Sequence, residues 1–430
     1  MKKLRSSDPD FARQFAKVVG DRRESEKGVA SQVSDILAKV KAQGDAAVLE
    51  YTQRFDGFSL SDDADWIIAA DRCEEAYNGL DAELRSALDL AAQRIEAYHR
   101  DQLPANRDFT DAAGVRQGAI WRAVDAAGLY VPGGRAAYPS SLLMNAIPAK
   151  VAGVERLVVC TPTPKGKSNP LVLAAAHLAG VDEIWRIGGA QAIAAMAYGT
   201  GKITPVDVVT GPGNAYVAEA KRQLFGVVGI DMVAGPSEIL VIADCDNDPD
   251  WIAADLLSQA EHDPSSQSIL ITNDATCAAQ VEDRVEVQLA QLETQKTARA
   301  SWANHGVIII VDDLEHEAPD LANQLAAEHI ELAVADPDAI FAKIRHAGSV
   351  FLGRMTPEAV GDYVAGPNHV LPTGRRARFS SGLSVLDFMK RTSFISLDDE
   401  AFKAIAPAAA TLAHAEGLPA HAKSVELRLK

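Results

Sequence analysis

The residues of this 430-residue chain best suited to proton transfer or metal binding gather in a few short segments. One is Asp255-Leu-Leu-Ser-Gln259-Ala-Glu261-His262-Asp263-Pro264. Asp248-Pro249 is a helix start and Asp263-Pro264 a stop, so a helix is expected between them. Gln259 and His262, three apart, then share a face, and Gln259 continues the apolar stripe of Ile252 and Leu256. A buried amide left without a partner costs roughly 1–3 kcal/mol, so this pair needs one. A metal would serve, and so would an ordinary core hydrogen bond. A second segment, Gln324-Leu-Ala-Ala-Glu328-His329-Ile-Glu331, puts Glu328 and His329 where a helix gives way to a strand. Histidine changes charge near neutrality, which suits general acid/base work, although a solvated charge is the plainer reading of the dipeptide. A third group comprises Asp362-Tyr363, Gly366-Pro-Asn368-His369-Val-Leu-Pro-Thr and, in the tail, Glu416-Gly-Leu-Pro-Ala-His421. Zinc accepts nitrogen and oxygen donors, so Gln259, His262, Asp362 and His421 form an acceptable set, though spacing alone does not bring them together.

Three glycine turns offer a different chemistry. They are Tyr130-Val-Pro-Gly133-Gly134, Ile187-Gly188-Gly189-Ala190-Gln191, and Thr210-Gly211-Pro-Gly213-Asn214, the last leading into a helix expected from Ala215 to Leu224. Each runs from strand to turn to helix. Glycine lets a ligand approach the backbone, and a helix start offers free N–H groups to an anion. None matches GxGxxG, so structural turns and a nucleotide crevice both remain open.

Positioning these residues requires an α/β framework. Residues 1–25 read as a helical arm, and apolar residues recur at helical spacing from 27 to about 105. After Gly114 strands and helices alternate: Gly128–Val131, Leu157–Cys160, Glu183–Ile187 and Val206–Val209, then Glu238–Ala243, Ser268–Thr272 and Gly306–Val311. That rhythm predicts two α/β domains with parallel sheets. We expect residues 126–234 to form the cofactor domain, and 26–125 with 235–380 the second domain. Residues 381–430 lack a core of their own and should pack on something else.

Composition narrows the function. A net charge of −17 leaves no basic face for nucleic acid. No window approaches the ~20 apolar residues that span a bilayer, and the polar start, Met1 to Phe11, has no signal-peptide stretch. Cys73, Cys160, Cys245 and Cys277 stand far apart without CxxC spacing, which fits small buried side chains in a reducing cytoplasm.

Seven blocks, in order, resemble the histidinol dehydrogenase family. They are Tyr130-Val-Pro-Gly-Gly, Val209-Thr-Gly-Pro-Gly-Asn214, Ala234-Gly-Pro-Ser237-Glu, Ser258-Gln259-Ala-Glu-His262-Asp, Ala327-Glu328-His329-Ile-Glu-Leu, Gly366-Pro-Asn-His369-Val-Leu-Pro-Thr and Glu416-Gly-Leu-x-x-His421. The resemblance implies an incomplete Rossmann-like cofactor domain, which agrees with the missing fingerprint. It implies one zinc per subunit held by Gln259, His262, Asp362 and His421, and NAD contacts from Tyr130, Gln191 and Asn214. It further implies an acid/base pair of Glu328 and His329, and substrate contacts from Ser237, His369 and Glu416 as well as His329 and the zinc ligands. The implied reaction takes L-histidinol to L-histidine by two hydride transfers. The implied assembly is a homodimer whose tails reach the partner's site. Relatives that oxidise another small alcohol, such as a sulfonated diol, are the competing reading. A zinc hydrolase or a structural zinc site, with inert glycine turns, is the competitor from another class.

Overall fold

A computed structural model describes residues 1–21, 28–133, 138–233 and 235–430. Gly134 and Ala234, quoted above within motifs, lie outside that set. Among the described residues are fourteen strands: β1 (Lys2–Arg5), β2 (Arg107–Thr110), β3 (Arg116–Ala123), β4 (Ala126–Tyr130), β5 (Arg156–Cys160), β6 (Glu183–Trp185), β7 (Val208–Thr210), β8 (Gly229–Ile230), β9 (Glu238–Ala243), β10 (Gln267–Thr272), β11 (Val307–Ile310), β12 (His329–Ala333), β13 (Ser349–Leu352) and β14 (Met389–Ser396).

Two parallel sheets carry the fold, as the alternation of apolar runs and small-residue helices requires. One has the order β6-β5-β4-β7-β8, and the other β1-β11-β10-β9-β12-β13. Apart from β1, both follow the same topology: counted within its own sheet, each runs 3-2-1-4-5. This is the Rossmann order lacking its sixth strand. Strands β9 and β10 are buried along their whole length, which explains why they read as continuous apolar runs rather than alternating ones.

Two sequence expectations need revision. Residues 1–25 are not wholly helical, because Lys2–Arg5 pairs in register with Val307–Ile310 as an edge strand before the helix Phe11–Gly20. The charged residues Lys2, Lys3 and Arg5 concealed a strand that has one inward apolar residue, Leu4. The helices between Val29 and Asp101 were grouped with 235–380 but pack on the five-stranded sheet. Val33, Ile36, Val40 and Val48 share a core with Val158, Ile193 and Val209, and Leu88, Ala91 and Ile95 another with Leu129 and Leu157. Periodicity shows a helix's apolar face but not which sheet covers it. β14 joins β3 and β2 in a small antiparallel sheet, and helices Asp399–Ala415 and Pro419–Glu426 form a hairpin that buries mainly alanines.

One buried ion pair braces the five-stranded sheet. Lys221 meets Asp231, and their side chains are 2% and 1% exposed. Lys221 Nζ also donates to Gly211 O at 2.9 Å, while Asp231 accepts from Gly211 N at 2.9 Å. Both main-chain groups of Gly211 are therefore fixed. Glycine is required there, because its φ is +108° and a β-carbon would sit 2.2 Å from the Tyr130 carbonyl oxygen. Lys221→Met should lower unfolding stability by about 3–5 kcal/mol by leaving Asp231 buried without its counter-charge. Lys221→Met/Asp231→Asn should recover much of that loss in urea titrations.

Candidate active site

The helix Pro249–Ala260 forms where expected, with Asp248 capping Asp250 N and proline in its first turn. Its last turn presents Gln259, buried, and His262 follows just past the end, exposed. At the same end of the larger sheet, β12 begins with His329, preceded by Glu328. Both are buried. The helix Glu358–Tyr363, after β13, adds Glu358 and Asp362, four apart and hence on one face.

These segments meet. Gln259 Nε2 donates to Glu358 Oε1 at 2.8 Å and lies 3.0 Å from His329 Nδ1. His329 Nδ1 is 3.1 Å from the carbonyl oxygen of Glu238, at the start of β9, and 3.4 Å from Glu358 Oε1. His329 Nε2 faces Asp362 Oδ1 at 3.6 Å and makes no hydrogen bond, although it is buried. Glu328 Oε2 accepts from Glu238 N at 2.9 Å. A carbonyl can only accept, so Nδ1 carries a proton and the lone pair of the neutral ring lies on Nε2.

Burial and crowding set the charge states. Loss of solvent pushes the Glu328 carboxyl up to about 8. Burial would lower His329, but Glu358, Glu328 and Asp362 together override it and raise the imidazole to about 10. Glu358 is pushed up to about 7 by burial, with His329 opposing. Asp362 is also desolvated, yet the facing charge of His329 holds it below the usual carboxylate range. Desolvation by the chain around it lowers His262 despite its exposure, and does the same to His369, so both favour the neutral imidazole that a metal needs.

His369 connects the two halves of the molecule. Its Nδ1 donates to Asp362 O at 2.9 Å, and its Nε2 lies 3.4 Å from Ser141 Oγ on the helix Pro139–Ala152, which belongs to the five-stranded sheet. The site on the larger sheet lies at the amino ends of β9 and β12. The glycine turns lie at the carboxyl ends of β4, β6 and β7, where Rossmann-type sheets bind nucleotides. There Tyr130 is buried and its hydroxyl accepts from Gly189 N at 3.0 Å. Asn214 is exposed and caps the helix Ala215–Leu224. Gln191 is buried, and its Oε1 has no hydrogen-bond partner.

The structure therefore brings together Gln259, His262, Glu328, His329, Asp362 and His369, with Ser237 one residue before Glu238. It does not bring Glu416 or His421 to them within one chain. Glu416 ends the helix Asp399–Ala415 and His421 lies in Pro419–Glu426, both exposed on the tail hairpin. Among the described residues, the histidine and carboxylate side chains close enough to share an ion are His329, Glu358 and Asp362, a grouping that differs from the zinc set read from the sequence. Glu358 was missed. The signal was present in Glu358-Ala-Val-Gly-Asp362, two carboxylates one helical turn apart.

A buried cluster of ionisable groups on one sheet, joined through His369 to a helix of the sheet that carries the glycine turns, is an arrangement suited to a dehydrogenase. The family model for histidinol dehydrogenase matches residues 20–429. The chain is 63% identical to histidinol dehydrogenase of Zymomonas mobilis and 60% identical to that of Rhodospirillum rubrum. The first alignment covers 99% of each chain, and the second 99% of this chain and 98% of the relative. The crystal structure of histidinol dehydrogenase from Elizabethkingia anophelis superposes with a TM-score of 0.93 at 36% identity, covering 100% of this chain and 98% of that one. The chain belongs to the histidinol dehydrogenase family and is an oxidoreductase.

Behind the site, Asp255 and Glu331 share one proton. Burial and the neighbouring carboxylate push Glu331 up to about 9, while burial raises Asp255 to about 6, so near pH 7 a protonated Glu331 donates to an ionised Asp255. The unfolded Glu331 releases its proton near 4.5, whereas the folded one keeps it to about 9. Folded protein thus binds more protons over that interval, and stability must fall as pH rises through it. Glu331→Gln, neutral at every pH, should flatten this fall and leave the variant the more stable form at pH 9 in thermal unfolding.

Proposed function

We propose that this chain oxidises L-histidinol to L-histidine, the last steps of histidine biosynthesis, in two hydride transfers through bound L-histidinal. Two NAD molecules are reduced in turn, one zinc ion is held per subunit, and the protein works in the cytoplasm. The observation that carries the reading is the Glu328–His329 pair, buried and anchored on Glu238, directly beside Gln259, Asp362 and His262.

The donor set fits zinc. Gln259, His262 and Asp362 supply one oxygen, one nitrogen and one carboxylate, and the buried His329 Nε2 beside Asp362 has no hydrogen-bond partner among the described residues. His421 would complete the set from a partner subunit. The ion would supply an anchor for the amine and imidazole nitrogens of the substrate, and would take up part of the Asp362 charge that keeps His329 protonated.

The remaining steps belong to side chains. His329, held at Nδ1, accepts the alcohol proton at Nε2 as hydride leaves for the nicotinamide. Enclosure keeps the amino-aldehyde bound until it reacts. Glu328, fixed through one oxygen, then takes a proton from water as it adds to the aldehyde. A carboxyl poised near 8 can also return that proton. His329 assists the second hydride transfer. Ser237 and His369 line the substrate, and Glu416 of a partner's tail pairs with its ammonium. Gln191, whose orphaned oxygen lies behind a glycine turn, contacts NAD together with Tyr130 and Asn214.

With NAD and zinc supplied, each histidinol consumed should yield two NADH and one histidine. One NADH with released aldehyde, or faster turnover of an unrelated alcohol, would refute the assignment. Glu328→Gln should slow oxidation of supplied histidinal by about 100-fold while sparing its reduction to histidinol, because only the former needs activated water. Equal losses in both directions would remove the role given to Glu328.

The homodimer has its own test. His262→Ala and His421→Ala are each expected to be inactive, but one site of a mixed dimer carries neither defect if tails are exchanged. Refolding an equal mixture should restore roughly a quarter of parental activity. No recovery, with mixed dimers shown by mass spectrometry, would place His421 within its own subunit's chemistry.

A further inference from the structure

Glu238 stands between the two groups assigned to proton transfer and a buried arginine. Its N–H holds Glu328 at 2.9 Å and its carbonyl lies 3.1 Å from His329 Nδ1. Its carboxylate accepts from Arg375 Nη1 at 3.1 Å. Through Nη2 the same guanidinium donates to Gln267 Oε1 at 2.7 Å and to the Val18 carbonyl at 3.1 Å. The Arg375 and Glu238 side chains are 2% and 1% exposed. Arg375 also has a φ of +68°, a left-handed conformation that glycine adopts freely and arginine adopts only where its surroundings hold it. A strained backbone beneath a buried, triply bonded side chain marks a residue whose guanidinium has to be in that place.

We propose that Arg375 is a positioning residue for the acid/base pair. By fixing the Glu238 carboxylate it fixes the Glu238 main chain, and with it the N–H and C=O that orient Glu328 and His329. This rests on the roles given to those two residues above. The Val18 bond makes the N-terminal helix Phe11–Gly20 part of the same brace. Loss of Arg375 takes the guanidinium from the buried Glu238 carboxylate, and accommodating that loss shifts the strand start.

Arg375→Met disturbs charge and position together, so it should be compared with Arg375→Met/Glu238→Gln, which removes the pair as a unit. Thermal unfolding and NADH formation from histidinol are the readouts. The single variant should unfold at a lower temperature and lose kcat. The double variant should regain its thermal midpoint but keep a kcat about tenfold or more below the parent, with both KM values within about twofold, because the pair is misplaced rather than unfolded. Arg375→Lys, which retains the charge, should fall between parent and single variant. Recovery of kcat together with stability in the double variant would overturn the proposal, as would a loss confined to KM. Glu328→Gln and His329→Asn are measured alongside. Parental turnover in those two would show that the acid/base assignment had failed, whereas their inactivity beside a fully active double variant would show that the Arg375 brace had failed.

Discussion

His329 is buried among Glu328, Glu358 and Asp362, and the fold must compensate for taking four ionisable groups out of water. Each would be strongly disfavoured alone in a low-dielectric interior. Mutual charge and fixed hydrogen bonds offset that cost: the Gln259 amide on Glu358, the Glu238 main chain on both Glu328 and His329, and Asp362 opposite Nε2. Every segment that carries a reactive group is also needed to hold another one in place. The site therefore cannot be built from one element, and its six contributing residues, Glu238, Gln259, Glu328, His329, Glu358 and Asp362, come from well-separated stretches of the chain.

The two parallel sheets share one topology and are used at opposite ends. In the five-stranded sheet, the glycine turns leave the carboxyl ends of the strands, where helix starts offer N–H groups to an anion. In the larger sheet the chemistry lies at the amino ends of β9 and β12, the adjacent pair where strand order reverses. The residues after β13 close the gap. Glu358 and Asp362 complete the buried group, Asn368 bonds the Met144 carbonyl at 2.6 Å, and His369 reaches Ser141.

Much of this was legible in the sequence where local rules govern. Asp248-Pro249 gave the start of its helix, the Ala215–Leu224 helix fell where the glycine turn ended, and the apolar run Glu238–Ala243 was a strand over its full length. Glu328 and His329 were placed correctly at a helix-to-strand junction because such junctions are local. Long-range packing was not legible. Nothing in the helices from 29 to 101 states which of two similar sheets they cover, and the strand Lys2–Arg5 is specified by its neighbour Val307–Ile310 rather than by its own polar residues. Glu238 and Arg375 escaped notice for the same reason: 137 residues apart, neither carries a local signal that the fold buries them together.

The proposed zinc site requires that this buried group of donors take up a divalent cation. Calorimetric titration of metal-free protein with zinc tests it most directly. One zinc per chain is expected, with affinity reduced at least about tenfold in Asp362→Asn and in His262→Ala, as loss of a ligand requires. Absence of zinc uptake by the parent, or equal affinity in both variants, would contradict it.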